Sequence, residues 1–445
     1  MSIKVGMVSL GCTKNQVDAE LMLALITKQG YELCADARRC DVVIINTCGF
    51  IEDAKRESIE TILEFAQLKG RGRVKAVVVT GCLAERYQME VARELPEADV
   101  VLGIGSNSHI AAAIERALHG EKVYEFGAKE DVPLSGERVL TTPPYTAYLK
   151  VAEGCDNRCT YCAIPLIRGG FRSRPMDEVL EEAQRLAASG VRELNVIAQD
   201  TTRYGKDLYG RLALPELLDR LCEIEGLRWI RILYGYPDTI TDELLEVIAR
   251  QPKICKYLDI PLQHASGNIL KRMNRRFDRQ SLTALMAHIR ARVPGITLRT
   301  TLITGFPGES EADFAELCEF VKEVRFDRLG CFAYSAEDGT PAAEFPDQID
   351  EELKRHRADL VMELQMGIAA GLAHKKIGRS LETLVEGFDE ESGRYVGRTA
   401  ADAPDIDGRV YFDSERECTP GEFVTVLVEN AEDYDLLGRL EEGER

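Results

Sequence analysis

The stretch TAYLKVAEGCDNRCTYC, residues 146–162, decides how the rest of the chain is read. Its first half is an apolar, strand-like run that stops at Gly154, and its second half delivers Cys155, Cys159 and Cys162 in a C-x-x-x-C-x-x-C spacing. Three thiols on one loop are one short of the four that close a cubane iron–sulfur cluster or a structural zinc site. Such a set leaves one metal position open to a small molecule. Zinc is the poorer fit, because its structural sites usually close with a fourth Cys or His.

Downstream of this stretch, RELNVIAQD, WIRILYGYP, YLDIPLQH, TLRTTLITG and RLGCFAYS repeat the strand pattern with helical runs among them. Six βα units predict a partial (βα)6 barrel, an incomplete form of the eight-stranded barrel whose site lies at the carboxyl-terminal face. The cysteine loop follows its first strand on that face. Upstream, IKVGMVSLG, DVVIINT, VKAVVVTG and DVVLGIG alternate with helical stretches and predict a doubly wound parallel α/β domain. Cys12, Cys48 and Cys82 follow three of these strands, about 35 residues apart, or one βαβ unit. Ligands of open parallel sheets bind at the carboxyl edge, so these three thiols are expected to converge on one rim. From about Lys376, short alternating runs broken by Gly or Pro predict a small antiparallel β-barrel. The expected domains are 1–130, 141–372 and 373–442, with a linker marked by Pro133, Pro143 and Pro144.

A length of 445 residues suits two or three domains, and 45% hydrophobic with 29% charged residues suits a globular chain. No apolar run is long enough to span a bilayer, and the first residues lack a secretory pattern. Thirteen cysteines without an export signal point to a reducing cytoplasm, where thiols bind metal or stay free. The net charge of −19 disfavours broad adhesion to nucleic acid and favours basic partners.

The tight spacing, with Tyr161 before its last cysteine, resembles the signature of radical S-adenosylmethionine enzymes. That resemblance implies a four-iron cluster on Cys155, Cys159 and Cys162, whose free iron binds the amino and carboxylate groups of S-adenosylmethionine and cleaves it to a radical. It also implies cofactor contacts at strand ends. Gln199 and Asp200 would serve the amino end of the methionine moiety. Gln263, His264 and Ser266 in PLQHAS would serve the ribose. Thr301, Gly305 and Glu309 in TLITGFPGE would lie along the adenine and methionine moieties.

LGCTKNQVDAE, NTCGF, TGCLAE, the radical loop, PLQHAS, TLITGFPGE and a terminal β module, in that order, resemble the methylthiotransferase family over nearly the whole chain. The resemblance implies a second four-iron cluster on Cys12, Cys48 and Cys82 that presents sulfur, S-adenosylmethionine as both methyl and radical source, and a terminal TRAM barrel. An electron donor such as flavodoxin or ferredoxin is implied too. One branch of the family modifies an adenosine in tRNA; another modifies an aspartate of the small-subunit ribosomal protein uS12. AEGCDNRCTYCAIPLIRGGFRSRP, VIAQDTTRYGKDLYG and GRTAADAPDIDGRVYF resemble the ribosomal-protein branch. Between Lys375 and Arg445 there are nine Lys or Arg against nineteen Asp or Glu, with Asp402, Asp405 and Asp407 in one loop. A module that grips RNA needs a basic face, whereas an acidic one suits a basic ribosomal protein. The remaining seven cysteines read as ordinary small residues and Trp229 as a strand residue without a functional role. The basic run KRMNRR (271–276) reads as a solvated helix face.

Overall fold

The computed structural model describes residues 2–441. Residues 442–445, which include the last residue of the expected barrel domain and two acids of its charge count, lie outside the described residues, as does residue 1.

The first sheet contains β1 (Lys4–Ser9), β2 (Glu32–Leu33), β3 (Val42–Thr47), β4 (Ala76–Gly81), β5 (Val100–Leu102) and β6 (Val123–Glu125). They run parallel in the order β2-β1-β3-β4-β5-β6. β3 and β4, VVIINT and AVVVTG, are buried throughout because both sheet faces are covered. Val43, Ile45, Val77 and Val79 enter one core and Val42, Ile44, Ala76 and Val78 the other, as the two-residue period of a strand requires. The strand order reverses between β1 and β3, so the loops after those strands diverge and leave a crevice at their carboxyl ends. Cys12 and Cys48 flank that crevice.

The second sheet starts with β7 (Thr146–Lys150). A short ribbon follows, β8 (Ala152–Glu153) with β9 (Arg172–Ser173), and then β10 (Glu193–Ile197), β11 (Trp229–Ile232), β12 (Ile254–Asp259), β13 (Thr297–Thr304) and β14 (Arg328–Ala333). Apart from the ribbon these strands are parallel and ordered as in sequence, from β7 at one edge to β14 at the other. This is the six-stranded partial barrel. The helix Glu351–His374 returns along its far edge, where Thr304 donates to the Lys354 carbonyl at 3.0 Å and Gln365 to the Phe326 carbonyl at 2.9 Å. Among the described residues, no helix is long and apolar enough to cross a membrane.

β15 (Ser380–Asp389), β16 (Arg394–Thr399), β17 (Val410–Asp413), β18 (Phe423–Glu432) and β19 (Asp435–Leu440) close a five-stranded barrel in the order β15-β16-β17-β19-β18. Four of the five pairings are antiparallel. β17 and β19 pair in parallel, because the chain crosses from one to the other through β18. Val385, Val410, Phe412, Val426 and Val428 fill the interior.

This barrel plugs the amino-terminal mouth of the partial barrel. Trp229, at the start of β11, stacks edge-on to Phe423 at 4.8 Å and donates to Glu382 at 3.1 Å. Glu193, at the start of β10, accepts from Arg398 at 2.7 Å and from Arg231 at 3.1 Å, all three groups being buried. Asp402 pairs with Arg328, while Asp407 accepts from Tyr257 at 2.7 Å and lies 3.6 Å from Arg299. The expectation that this loop offers three acids to a basic ligand is therefore corrected. Asp402 and Asp407 are turned inward to neutralise arginines of the partial barrel, and Asp405 alone of the three is exposed. The acidic outer surface of the barrel comes instead from Glu390, Glu391, Asp413, Glu415, Glu417 and Glu429.

Burial pushes the Glu193 carboxyl up, but Arg398 and Arg231 outweigh it and hold it at about 2. Because it is held below its ordinary value of 4.5, its contribution to stability is complete above that pH and drains away as pH falls toward 2. Glu193→Gln should cost about 3–5 kcal/mol, since it leaves two buried guanidiniums short of an anion. Urea unfolding across the acid range should show a lower midpoint for the variant and a flatter acid limb than for the wild type.

Candidate functional site

The dispersed cysteines are gathered by tight turns at the carboxyl edge of the first sheet. Cys12 is the residue that caps the helix Thr13–Lys28, Cys48 follows β3 directly, and Cys82 begins the helix Cys82–Tyr87. Gly11, at φ +86°, lies so close to Cys48 that a Cβ there would meet its Sγ at 2.8 Å. A Cβ on Gly49 would lie 2.7 Å from the Leu83 Cα, beside Cys82. Gly81, at φ +93°, packs against the Thr47 carbonyl. Glycine is required at these turns because only a residue without a side chain allows such backbone approach. The buried Asn15 amide laces the same loops, donating to the carbonyls of Leu10 at 2.8 Å and Thr47 at 3.2 Å. Cys48 is fixed by Ser58, which receives its N–H at 3.0 Å and donates to its carbonyl at 2.9 Å.

The tight triplet is held from all sides. Gly154, at φ +77°, packs on the Gly170 carbonyl, and Cys155 donates to the Gly169 carbonyl at 3.2 Å. Asn157 donates to Asp200 at 2.9 Å and accepts from Arg203 at 2.9 Å. Thr160 binds the carbonyls of Met273 and Arg272 at 3.1 and 2.8 Å. Arg275 is buried, with Nη1 3.7 Å from Cys159 Sγ and 3.4 Å from the Tyr161 hydroxyl, and its guanidinium lies 4.5 Å from the centre of the Tyr236 ring. The expectation of a solvated helix face at 271–276 is overturned at this residue. The helix ends at Arg272, Asn274 takes a left-handed turn at φ +60°, and the chain is thrown inward.

The two triplets are linked through one helix. Cys82 packs against Ala163 and Ile167, on the helix that follows Cys162. Arg168 donates to Cys82 Sγ at 3.3 Å and to Asn15 at 3.2 Å, and it pairs with Asp18 at 2.5 Å. Lys150 completes the buried network, 2.5 Å from Asp18 and 2.8 Å from Glu153. Among the described residues, no three His, Cys, Asp or Glu side chains close tightly enough to grip one ion, so each triplet is a set of neighbours and not a closed cage. Burial pushes Cys82 up to about 12, against the pull of Arg168, and pushes Cys155 to about 11; Cys48 and Cys162 are raised for the same reason. These thiols are protonated at neutral pH until a metal displaces the proton.

The other expected residues divide by what their side chains touch. The Gln199 amide nitrogen is held by Glu153, whereas its carbonyl oxygen is buried without a partner, so an acceptor stands free at the end of β10. Asp200 is occupied with Asn157 and with Thr202 at 3.0 Å, and so holds the cysteine loop. Gln263, at φ +73°, donates its N–H to the Thr301 carbonyl at 2.8 Å, which brings PLQHAS beside TLITGFPGE. Ser266 donates to Asp313 at 2.6 Å. Glu309 is buried between Arg357 at 2.8 Å, the Gly305 N–H at 2.8 Å and His264 at 3.3 Å, while Gly305 makes room for Lys354. Internal contacts thus account for the side chains of Ser266 and Glu309 and for the glycine at 305. Lys14, Asn15, Asp18, Lys150, Arg168 and Arg275 were not singled out by the sequence reading. The first three lie inside the quoted LGCTKNQVDAE motif, and that adjacency was the available signal.

Comparison with known proteins follows the same three units. The chain matches the uncharacterized protein family UPF0004 over residues 4–103, the radical SAM superfamily over 149–321 and the TRAM domain over 377–440. It is 51% identical to the ribosomal protein uS12 methylthiotransferase RimO of Pelotomaculum thermopropionicum, over 98% of this chain and 99% of the relative. It is 50% identical to the RimO of Geobacter sulfurreducens, over 98% of each. The radical S-adenosylmethionine methyltransferase TsrM from Kitasatospora setae aligns over 86% of this chain and 81% of its own, with a TM-score of 0.56 at 14% identity, a likeness of fold alone.

Gly49→Ala should part the Cys48 and Cys82 turns, because the added methyl has backbone in its way. Thermal unfolding should show the cost of that overpacking, about 1–3 kcal/mol, as a lowered midpoint.

Proposed function

We propose a reaction for a chain that belongs to the RimO family of ribosomal protein uS12 methylthiotransferases: insertion of a methylthio group at the β-carbon of an aspartate of that small-subunit protein. The observation that carries this reading is that Cys82 of one three-thiol set packs against the helix leaving Cys162 of the other. A reaction that joins a carbon activated at one centre to sulfur held at another needs the two centres side by side.

Cys155, Cys159 and Cys162 would hold one four-iron cluster, and Cys12, Cys48 and Cys82 a second. When bound, the first supplies the electron that makes S-adenosylmethionine a hydrogen-abstracting reagent, and the second presents the sulfur that is inserted. Both sets fit by the chemistry of their donors, three thiols that leave one corner free.

The residues of the chain then have distinct tasks. Gln199, anchored through its nitrogen by Glu153, has a carbonyl oxygen free to accept from the amino group of the methionine moiety. Arg275 beside Cys159 and Arg168 beside Cys82 each place a fixed positive charge on one sulfur, which offsets the negative charge gathered when three thiols ionise. Tyr236 and Tyr161 wall the Cys159 side and exclude water, with the Tyr236 hydroxyl 4.0 Å from Cys159 Sγ. Asp200 keeps the loop in place through Asn157. Gln263 and Thr301 line the opposite strand ends, where ribose and adenine would lie. The exposed acids of the terminal barrel favour a basic protein over tRNA as the partner. Flavodoxin or ferredoxin would deliver electrons from the cytoplasm.

Cys155→Ala, Cys159→Ala or Cys162→Ala should abolish reductive cleavage of S-adenosylmethionine, measured by release of 5′-deoxyadenosine. Cys12→Ala should still cleave it but give no methylthio product. Mass spectrometry of the ribosomal protein and of tRNA, each incubated with the reconstituted enzyme, decides the substrate. A mass gain on tRNA in place of the protein would overturn this reading.

A further inference from the structure

Of the buried cations around the two triplets, Lys14 and Arg275 have no carboxylate partner among the described residues, and Arg275 is engaged with Cys159 and with the Pro261 carbonyl at 2.7 Å. Lys150 and Arg168 each meet a carboxylate at 2.5 Å, and Arg138 meets both Glu20 and Glu182 at 2.5 Å. Lys14 is only 8% exposed, yet among the described residues its ammonium has no carboxylate within ion-pair distance. Nζ sits 3.2 Å from the centre of the Tyr234 ring, and the Tyr234 hydroxyl is 3.3 Å from the Thr13 hydroxyl. Tyr234, Cys12 and Asp259 act on it through space, and the one carboxylate among them, Asp259, is already engaged with Arg299 at 3.0 Å and with the Tyr234 N–H at 3.3 Å. An aromatic face attracts an ammonium but does not neutralise it, and burying a cation without an anion is unfavourable.

The position is as unusual as the pairing. Lys14 is two residues from Cys12, in the crevice at the carboxyl edge of the first sheet. Tyr234 lies just beyond β11, at the carboxyl edge of the partial barrel, and is held there with φ at +62°. Two residues further on, Tyr236 reaches Cys159. The ammonium therefore joins the turn that carries Cys12 to the strand end whose Tyr236 reaches Cys159, a region that a substrate must enter if both triplets act on it.

We propose that Lys14 receives the side-chain carboxylate of the substrate, with the Tyr234 ring beneath it, and so selects aspartate and presents its β-carbon to both centres. This rests on the proposed function and deepens it. A carboxylate is one bond from the β-carbon, so a cation that fixes the first also fixes the second. The substrate also brings a carboxylate to an ammonium that has none within ion-pair distance among the described residues. Lys14 is on this view a specificity-determining residue, which touches the substrate but takes no part in electron transfer.

The test uses the full-length reconstituted enzyme and two fluorescent peptides spanning the modified segment of the ribosomal protein, one with the target aspartate and one with asparagine in its place. The wild type should bind the aspartate peptide about tenfold more tightly, the scale of one charge-assisted contact. Lys14→Gln should bind the two alike, and Lys14→Arg should regain part of the preference, which a merely structural role would not produce. A Lys14→Gln enzyme that keeps the wild-type preference overturns the inference. So does one that loads its normal iron but binds neither peptide. If the wild type modifies the ribosomal protein without preferring aspartate, this inference fails alone. If it modifies tRNA instead, the substrate reading fails and takes this inference with it.

Discussion

A knot of four buried charges, Asp18, Lys150, Glu153 and Arg168, is the constraint on which the arrangement of this protein depends. The partial barrel contributes two cations and one anion to it, and the first domain contributes the remaining anion. Each side alone would bury an uncompensated charge, which a protein interior does not tolerate. Docked together, the four sum to zero, and the pairs of Asp18 with Lys150 and Arg168 tie one domain to the other. Arg168 extends the knot to Cys82 and Asn15, so the contact that joins the domains also joins the two cysteine sets. Arg138, between Glu20 and Glu182, stitches the same interface a second time.

Much of this was legible in the sequence, for identifiable reasons. Strands buried on both faces, such as VVIINT and AVVVTG, have nearly continuous apolar runs, whereas those of the partial barrel are interrupted by Asn195, Arg231, Lys256 and Arg299 and were legible from their alternation with helical runs. The cysteine spacings were legible because a metal set imposes its own geometry on the chain. β2 and β6 passed unnoticed, since two or three edge residues are too few to show a period. The parallel pairing of β17 with β19 depends on how the barrel closes, which no local pattern encodes.

The errors share a cause. Asp402 and Asp407 have the composition of a solvated acidic loop, and only their distance in space from Arg328 and Arg299 makes them internal. Arg275 belongs to a run that looks like an exposed helix face, yet the helix has ended before it. The packing of Gly305 and Glu309 under the long helix, at Lys354 and Arg357, was likewise hidden in TLITGFPGE. In each case the partner lies dozens of residues away, and a sequence reveals the residue but not the partner.

The terminal barrel is not an appendage on a linker. Here it is set into the base of the partial barrel like a stopper, with Trp229, Glu193, Arg328 and Tyr257 all engaged. A stopper cannot swing. Its exposed acids therefore keep a constant bearing on the cysteine loops, and a partner held by that surface would meet the reacting centre in one orientation. Recognition by that surface and alignment at the site would then be a single geometric event.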